Sequence, residues 1–289
     1  MKWLALTLAG GLTACSAEPN SAGQLPQKVA PDVLLIGHIR HPRLTESSGI
    51  VVSRKKPDVF WTHNDGGGKR QVLYAMTRTG EPIAEYRVTG AVLEDWEDIA
   101  ADDNGHLFIG DVGNNDRKRE SIAVHQVDEP DTSQAKNGLA RVVRSWSLRF
   151  PQKPFDCESL VVWQGHGYLI SKVFDDERAG LYRFSLTNTA PSQTLEFLGD
   201  IKIDSPVTGA DISQDGKLLG IVAKNGAYLF HIKGDPERAT HGKAYEFTKF
   251  RHEHIEACTF VPEGLLATAE SREIYLFTED AFHPTPKKK

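Results

Sequence analysis

The chain has few of the residues that would cross-link it or mark a catalytic nucleophile. Its 289 residues include only three cysteines, which excludes a disulfide framework. It contains no G-x-S-x-G, H-E-x-x-H or P-loop sequence, so the common nucleophile, zinc-protease and phosphate-loop sites are absent. The folded part must therefore be stabilised by packing, and a hydrolase of this sequence would have to activate a water molecule.

Basic charge and helical periodicity are also scarce. Lysine and arginine number 34 against 39 acids, and the net charge is -5. Without a basic block, nucleic acid is not an expected partner. No stretch of the folded part keeps an apolar period of 3.6 residues, whereas short runs rich in Val, Ile, Leu, Phe and Tyr recur between Gly, Asp and Asn. This pattern predicts an all-β protein, which we expect to be monomeric.

The first residues are typical of a secretory signal. One lysine, a short apolar run and small residues precede Cys15, and Leu12 to Cys15 resemble the lipobox of bacterial lipoproteins, whose cysteine is lipidated. Ser16 in place of Asp favours the outer membrane. A plain signal peptide or a buried strand is the alternative. We predict a signal peptide (1–14), the lipidated Cys15 with a flexible tether (15–31), one domain (32–283) and a basic tail (284–289), in a protein secreted across the inner membrane and facing the periplasm or exterior.

A repeat recurs through the domain. Ser48, Glu97, Glu158, Ala210 and Glu256 begin equivalent strand pairs and are 49, 61, 52 and 46 residues apart. A period near 50 residues with four strands in each unit is typical of β-propeller blades. The last unit lacks one strand, which the run "VLLIGHIR" (33–40) would supply. The sequence thus predicts a five-bladed β-propeller whose N-terminal strand closes the last blade, with six blades or another all-β fold as alternatives.

Equivalent positions of the innermost strands form a ring around a propeller's channel. Three carboxylates about 6 Å apart would repel by roughly 3 kcal/mol per pair at an effective dielectric of 20, so a cation is expected between them. Oxygen ligands in a wide site favour Ca²⁺ over Mg²⁺, and zinc is disfavoured because no ring position is His or Cys, although His254 is near. Glutamates bonded to backbone amides and water, without a metal, are the alternative. The predicted Ca²⁺ ligands are Ser48, Glu97, Glu158, Thr208 and Glu256.

The loops at one end of the predicted propeller are polar, whereas those at the other end look merely connective. Ordinary turn chemistry is the alternative for each single loop, but basic and acidic groups together favour a site for an anionic ligand with a general base. We predict His63, Asp65, Asp111 and Arg117 as catalytic candidates. The predicted ligand-binding residues are Asn64, Asn114, Asn115, Lys172, Arg178, Lys224, Arg272 and Trp96, the last as a stacking platform or as core.

Two resemblances bear on function. The Ser-Glu-Glu-x-Glu order of the ring resembles that of the calcium-activated nucleotidases (apyrases), which implies five blades with an axial calcium held by Glu and Ser. The segments "EDWEDIA", "GDVGNNDRKRESIAVHQVDEP" and "CESL" resemble a group of uncharacterised secreted bacterial β-propeller lipoproteins. That second resemblance spans most of residues 45–280 and implies no particular activity.

The sequence therefore favours a lipid-anchored, calcium-binding β-propeller that acts as a ligand-binding or scaffold module through its polar face. Its expected partners are a membrane, through the lipid, and a small anionic ligand or a protein. A calcium-dependent hydrolase of phosphate esters, nucleotides or lactones is the alternative function, and a protein-interaction platform is a third. Cys157 and Cys258 are predicted to be free buried thiols, with a disulfide as the alternative.

Overall fold

The protein folds almost entirely into short antiparallel strands. The computed structural model describes residues 24–66, 71–172, 178–242 and 245–282; the predicted signal peptide, Cys15 and the basic tail lie outside these ranges. Strands β1 (Gln27–Ala30) and β2 (Val33–His38) form a hairpin, with Asp32 at a φ of 54° in the turn. The sequence assigned residues 27–30 to the tether, so ordered chain begins earlier than predicted.

Within the described residues the next strands form four-stranded arrays in chain order. The first two arrays are β3 (Ser47–Val52), β4 (Phe60–Asn64), β5 (Val72–Met76) and β6 (Pro82–Thr89), followed by β7 (Asp98–Ala101), β8 (His106–Asp111), β9 (Ser121–Asp128) and β10 (Asn137–Arg149). They join into one sheet because the outer strands β6 and β10 pair in parallel.

The remaining strands complete the ring. The third array is β11 (Cys157–Trp163), β12 (His166–Ser171), β13 (Ala179–Ser185) and β15 (Glu196–Ile201), while the short β14 (Gln193–Thr194) pairs with β10. The fourth is β16 (Val207–Ile212), β17 (Leu218–Ala223), β18 (Gly226–His231) and β19 (Tyr245–Lys249). The last is β20 (Ile255–Val261), β21 (Gly264–Ala269) and β22 (Glu273–Thr278) with β2; 3₁₀ helices occupy Pro236–His241 and Glu279–Ala281.

The sheets form a propeller-like, nearly closed arrangement, which confirms the predicted all-β propeller class. The first strands of the arrays contact one another in the order β3, β7, β11, β16, β20 and back to β3. Strand β2 pairs with β22, with Val33 opposite Phe277, so the N-terminal strand completes the last sheet as predicted. No helix among the described residues is long and apolar enough to cross a bilayer.

Apolar side chains fill the spaces between neighbouring sheets. Trp61 and Trp96 are fully buried in the cluster between the first two arrays. Leu219 and Ile221 lie in the cluster between the third and fourth. Cys157 and Cys258 are free and buried in separate clusters, as the sequence predicts. Stability thus comes from burial rather than from cross-links.

Two buried aspartates connect first strands of neighbouring arrays. Asp98 accepts the backbone N–H of Leu160 in β11 at 2.8 Å, and Asp211 accepts the backbone N–H of Phe260 in β20 at 2.8 Å. Gly49 makes a similarly close approach possible between β3 and β7, because a Cβ there would lie 2.8 Å from the backbone nitrogen of Ile99. These contacts fix the first strands, and therefore the side chains at their beginnings.

Candidate functional site

The five ring residues predicted from the repeat lie at the beginnings of the first strands. All five side chains are buried: Ser48, Glu97, Glu158, Thr208 and Glu256. The hydroxyl of Ser48 donates to the backbone carbonyl of Glu97 at 2.8 Å and to its Oε2 at 3.1 Å. Burial, followed by the charge of Glu158, raises the pKa of Glu256 to about 8. The alignment of repeats thus identified groups that influence one another across the channel.

Two lysines neutralise part of this ring. The Nζ of Lys172 is paired with Glu158 Oε1, and the Nζ of Lys224 lies 3.3 Å from Glu256 Oε1. The sequence assigned both lysines to an outer site for an anionic ligand, whereas the structure directs their ammonium groups at the glutamates. Each lysine follows the second strand of its array. Lys172 reaches Glu158 in the first strand of its own array, and Lys224 reaches Glu256 in the first strand of the next. The repulsion calculated for three glutamates is therefore already reduced at two of them.

Glu97 has different neighbours. Its carboxylate and those of Asp65 and Asp95 have oxygens that all lie within 4.8 Å of one another, and we call these three residues the acidic cluster. Within the described ranges none of the three forms an ion pair with a lysine or arginine. The sequence had placed Asp65 among catalytic candidates and Glu97 in the ring, but had no means of joining them through Asp95.

Proximity and burial make these carboxylates hard to ionise. Burial and the charges of Asp65 and Glu158 raise the pKa of Glu97 well above its usual value. Burial and the charge of Asp65 raise the pKa of Asp95 to about 6. Burial, with Glu270 and Glu46 nearby, also raises the pKa of Asp65. In each case the folded protein prefers a positive species beside the carboxylate, whether a proton or a cation.

A glycine allows two of the carboxylates to converge. A Cβ at Gly113 would lie 2.4 Å from Asp95 Oδ2 and 2.5 Å from Glu97 Oε1, far inside van der Waals contact. The backbone N–H of Gly113 donates to the carbonyl of Asp95 at 3.0 Å. Any other residue at position 113 would push the two acids apart, so the loop after β8 is shaped around them.

Two further oxygens near the ring lack hydrogen-bond partners in the described part of the chain. They are Glu158 Oε2 and Thr208 Oγ1, and both atoms are buried. A buried polar atom without a partner costs roughly 1–3 kcal/mol. Such atoms are therefore expected to gain a partner when a ligand enters the channel.

Asp111 and its neighbours build the loop that carries Asp95. Asp111 accepts the backbone N–H of Asp95 at 2.8 Å and lies 3.1 Å from Arg119 Nη1. Although burial opposes ionisation, hydrogen bonds from His125 and Asp95 and the charge of Arg119 lower the pKa of Asp111. Asp111, a catalytic candidate from sequence, thus acts as the anchor of this loop. The sequence "DRKRE" favours Arg117, which is exposed, and gives no sign of the role of Arg119. Only the path of the backbone shows that Arg119 turns back towards Asp111.

His63 and Trp96 are both inaccessible to solvent. Their rings stack with centroids 4.5 Å apart, and the Nδ1 of His63 lies 2.9 Å from the carbonyl of Asn64. Burial lowers the pKa of His63 to about 4, so its ring is neutral at ordinary pH. A general base and a stacking platform must reach their substrate, and this geometry offers neither residue such access. Trp96 is instead a core aromatic, which is the alternative that the sequence left open.

The remaining predicted residues divide between loop structure and open surface. Asn64 accepts the backbone N–H groups of Thr45 and Glu46 and donates to the carbonyl of Arg43. Asn114 similarly accepts the backbone N–H of Arg119 at 2.9 Å. Both amides are therefore committed to their own loops. The Nη2 of Arg272 donates to the carbonyl of Pro42 at 3.4 Å. The predicted residues Asn115, Arg117 and Arg178 are exposed.

No protein-family model matches the chain, and no curated protein matches it significantly. Among solved structures it is similar to a gluconolactonase from Xanthomonas campestris, with 12% identity over 80% of this chain and 71% of the other and a TM-score of 0.46. It is also similar to U3-55K (10% identity, 86% and 99% covered, TM-score 0.44). A third similar structure is a chain of a mitotic checkpoint complex (13% identity, 93% and 68% covered, TM-score 0.39). These similarities concern the fold alone.

Proposed function

We propose that this protein is a calcium-dependent binding module, with Ca²⁺ bound by the acidic cluster at the polar end of the channel. One observation carries the proposal. Asp65, Asp95 and Glu97 bring carboxylate oxygens within 4.8 Å of one another, while the lysines nearby pair with the other two glutamates of the ring. The position that requires a cation is thus displaced from the centre of the predicted ring towards Asp95.

The donor set suits a hard cation. Carboxylate oxygens, the Ser48 hydroxyl beside Glu97 and open coordination positions for water are ligands that Ca²⁺ prefers, and their irregular arrangement disfavours the strict octahedron of Mg²⁺. The buried Glu158 Oε2 offers a further oxygen from the neighbouring array. Gly113 leaves space beside two of the acids that a side chain would fill. Bound Ca²⁺ would displace the protons that the raised pKa values otherwise favour.

We prefer a binding role to hydrolysis because of where the predicted catalytic groups lie. His63 is covered by Trp96, and Asp111 is engaged by Arg119. A cation at the acidic cluster would instead join the loops that carry Asp65 and Asp95. The expected consequence is a calcium-dependent shape of the polar face, on which Asn115 and Arg117 are exposed.

Calcium titration of the purified protein tests the proposal. We expect stoichiometric binding by calorimetry, and a melting temperature that rises with Ca²⁺ and falls with EGTA, because a ligand at about 100 times its Kd stabilises the folded state by about 2.7 kcal/mol. Glu97→Gln and Asp95→Asn should lose most of this response. Asp116→Asn, an exposed acid of the same face, should retain it. A wild-type protein indifferent to Ca²⁺ and EGTA, or a Glu97→Gln variant that responds normally, would refute the site.

Membrane attachment through Cys15 remains part of the proposal. In a bacterial host with lipoprotein processing, the full chain should fractionate with membranes, and Cys15→Ser should release it to the soluble fraction. Equal fractionation of both forms would argue against the lipid anchor.

A further inference from the structure

The opposite end of the propeller contains a cavity of about 590 Å³. Its walls come from the turns that link first and second strands in the second, third and fourth arrays, together with β9 and β10. The sequence predicts that these turns merely connect strands, whereas in the structure they line a common cavity. The volume lies within the range of about 300–1,000 Å³ that is typical of small-ligand sites.

Aromatic rings form the apolar part of this cavity. Phe108, Trp146 and Trp163 all line it. Phe108 and Trp146 lie near each other, with ring centroids 6.1 Å apart. Trp163 is held in place by its Nε1, which donates to the carbonyl of Gly234 at 3.0 Å. The cavity therefore offers flat apolar surfaces whose positions are fixed by the sheets.

Three of the charged or ionisable groups of the wall, Asp102, His106 and Arg144, are already paired. Asp102 Oδ2 lies 2.9 Å from His106 Nδ1. The guanidinium of Arg144 lies 4.7 Å from the ring centroid of Trp146 and donates to the carbonyl of Asn188 at 2.9 Å. Arg54 and Asp103 also line the cavity; the buried Nε of Arg54 has no hydrogen-bond partner in the described part of the chain, and Asp103 is exposed. The two arginines and two aspartates of the wall leave it without net charge, so the cavity does not favour phosphate or carboxylate groups.

The uncommitted polar groups are mostly neutral. Trp146 is 4% exposed, and its Nε1 has no hydrogen-bond partner in the described part of the chain. Within the same ranges, no side-chain hydrogen bond involves the three glutamines that line the cavity, Gln126, Gln164 and Gln214. An amide both donates and accepts. A buried indole N–H without a partner, beside three free amides, indicates a ligand with many hydroxyl groups.

We propose that this cavity binds a neutral saccharide. The C–H face of a pyranose ring is apolar and packs against aromatic rings, while its hydroxyls donate and accept as glutamine amides do. No charge is needed for such a ligand, and the two arginines and two aspartates of the wall, Arg54, Arg144, Asp102 and Asp103, leave it without net charge. The cavity lies at the other end of the propeller from the acidic cluster, so this inference does not depend on the calcium proposal.

Binding of defined sugars tests the assignment. Glucose, galactose, N-acetylglucosamine, maltose and cellobiose would be titrated into the full chain, with saturation-transfer NMR and calorimetry as readouts and glucuronate and glucose 6-phosphate as charged comparisons. We expect at least one neutral sugar to bind. Trp146→Phe, which keeps an aromatic ring but removes the N–H, and Gln126→Ala should each weaken binding about tenfold. Gln134→Ala, an exposed glutamine away from the cavity, should leave it unchanged.

Each alternative outcome overturns the inference. No binding by any neutral sugar would refute a saccharide site, and binding of only the charged sugars would refute the ligand class. Neutral-sugar binding that persists unchanged in both cavity variants would place the site elsewhere. Circular dichroism and melting curves of both variants would establish that a loss of binding does not reflect unfolding. Asp95→Asn, which removes a predicted calcium ligand, should bind the sugar normally and so separates this test from that of the acidic cluster.

Discussion

Glutamine substitution at two glutamates of the ring should change stability in opposite directions. Glu97 contacts acids, whereas Glu158 is paired with Lys172, whose side chain is only 11% exposed. Glu97→Gln removes repulsion and should stabilise the metal-free protein. Glu158→Gln removes the main partner of a largely buried ammonium group and should destabilise it.

The distances give the size of each effect. The oxygens lie no more than 4.8 Å apart; at that distance and an effective dielectric of 20, each carboxylate pair repels by about 3.5 kcal/mol. Before screening, loss of the Glu97 charge, which takes part in two such pairs, relieves about 7 kcal/mol. Solvent screening around Asp65 and Asp95 and their proton uptake reduce this, and we expect about 1–3 kcal/mol of stabilisation. Removing one partner of a buried ion pair, as Glu158→Gln does, lowers the free energy of unfolding by about 3–5 kcal/mol. Because Asp156 Oδ2 lies 3.9 Å from the same ammonium group, we expect about 2–4 kcal/mol.

Urea unfolding in EDTA at about pH 9 would measure the free energy of unfolding of both variants. This pH lies above the pKa of about 8 for Glu256 and of about 6 for Glu158. For a domain of this size, 1 kcal/mol corresponds to about 2–4 °C in melting temperature. The gain in stability from Glu97→Gln should become smaller as the pH falls, because protonation then neutralises the Glu97 charge in the wild type. If both variants were destabilised by similar amounts, the division of the ring into a paired and an unpaired part would be refuted.

Three further predictions follow from the same geometry. The metal-free wild type should become more stable as the pH falls from about 8 to about 5 in thermal unfolding, because the folded state, with pKa values of about 8 for Glu256 and about 6 for Asp95, binds protons at these groups more tightly than the unfolded chain. The buried His63, with a pKa of about 4, offsets part of this gain below about pH 6.5, and stability that increases with pH between about 7 and 8 would contradict the sign. Gly113→Ala should weaken Ca²⁺ binding at least about tenfold in calorimetry by separating Asp95 from Glu97. Asp116→Ala, at an exposed position of the same loop, should leave binding intact. Asp211→Ala should lower the free energy of unfolding in urea by about 2–4 kcal/mol, because Phe260 and Thr259 lose their buried acceptor. Asp215→Ala, at an exposed position, is the control, and an equally small loss in both variants would argue against the connection between β16 and β20.

The sequence predicts the fold well because a propeller is a repeat. Each first strand begins at an equivalent position, so alignment of the units was sufficient to place Ser48 beside Glu97. The pairing of β2 with β22 also followed, since the last unit lacked a strand. The hairpin formed by β1 was missed because residues 27–30 have no apolar alternation, and their order comes from pairing with β2.

The site was less predictable, because its contacts depend on side-chain direction. Lys172 is fourteen residues from Glu158 in sequence, and nothing in that spacing distinguishes a lysine that turns inward from one on the rim. "HND" reads as a turn, yet His63 is the buried end of β4. Asp95 directly precedes Trp96 and Glu97 in the sequence, but its meeting with Asp65 requires the path that Asp111 and Gly113 impose.

The pairing of β2 with β22 also determines how the molecule responds to force. Val33, at the start of β2, lies opposite Phe277, near the end of β22, but the chain reaches β2 through β1, whose Gln27 lies opposite Leu35. The chain before β1 and the chain after β22 therefore leave the sheet at opposite ends. A pull that separates the termini would load the hydrogen bonds of β1 with β2 and of β2 with β22 together in shear rather than one after another. The seam that completes the last sheet is therefore expected to resist stretching by the termini, and single-molecule traces should show no separate low-force opening of β2 from β22 before the other sheets unfold.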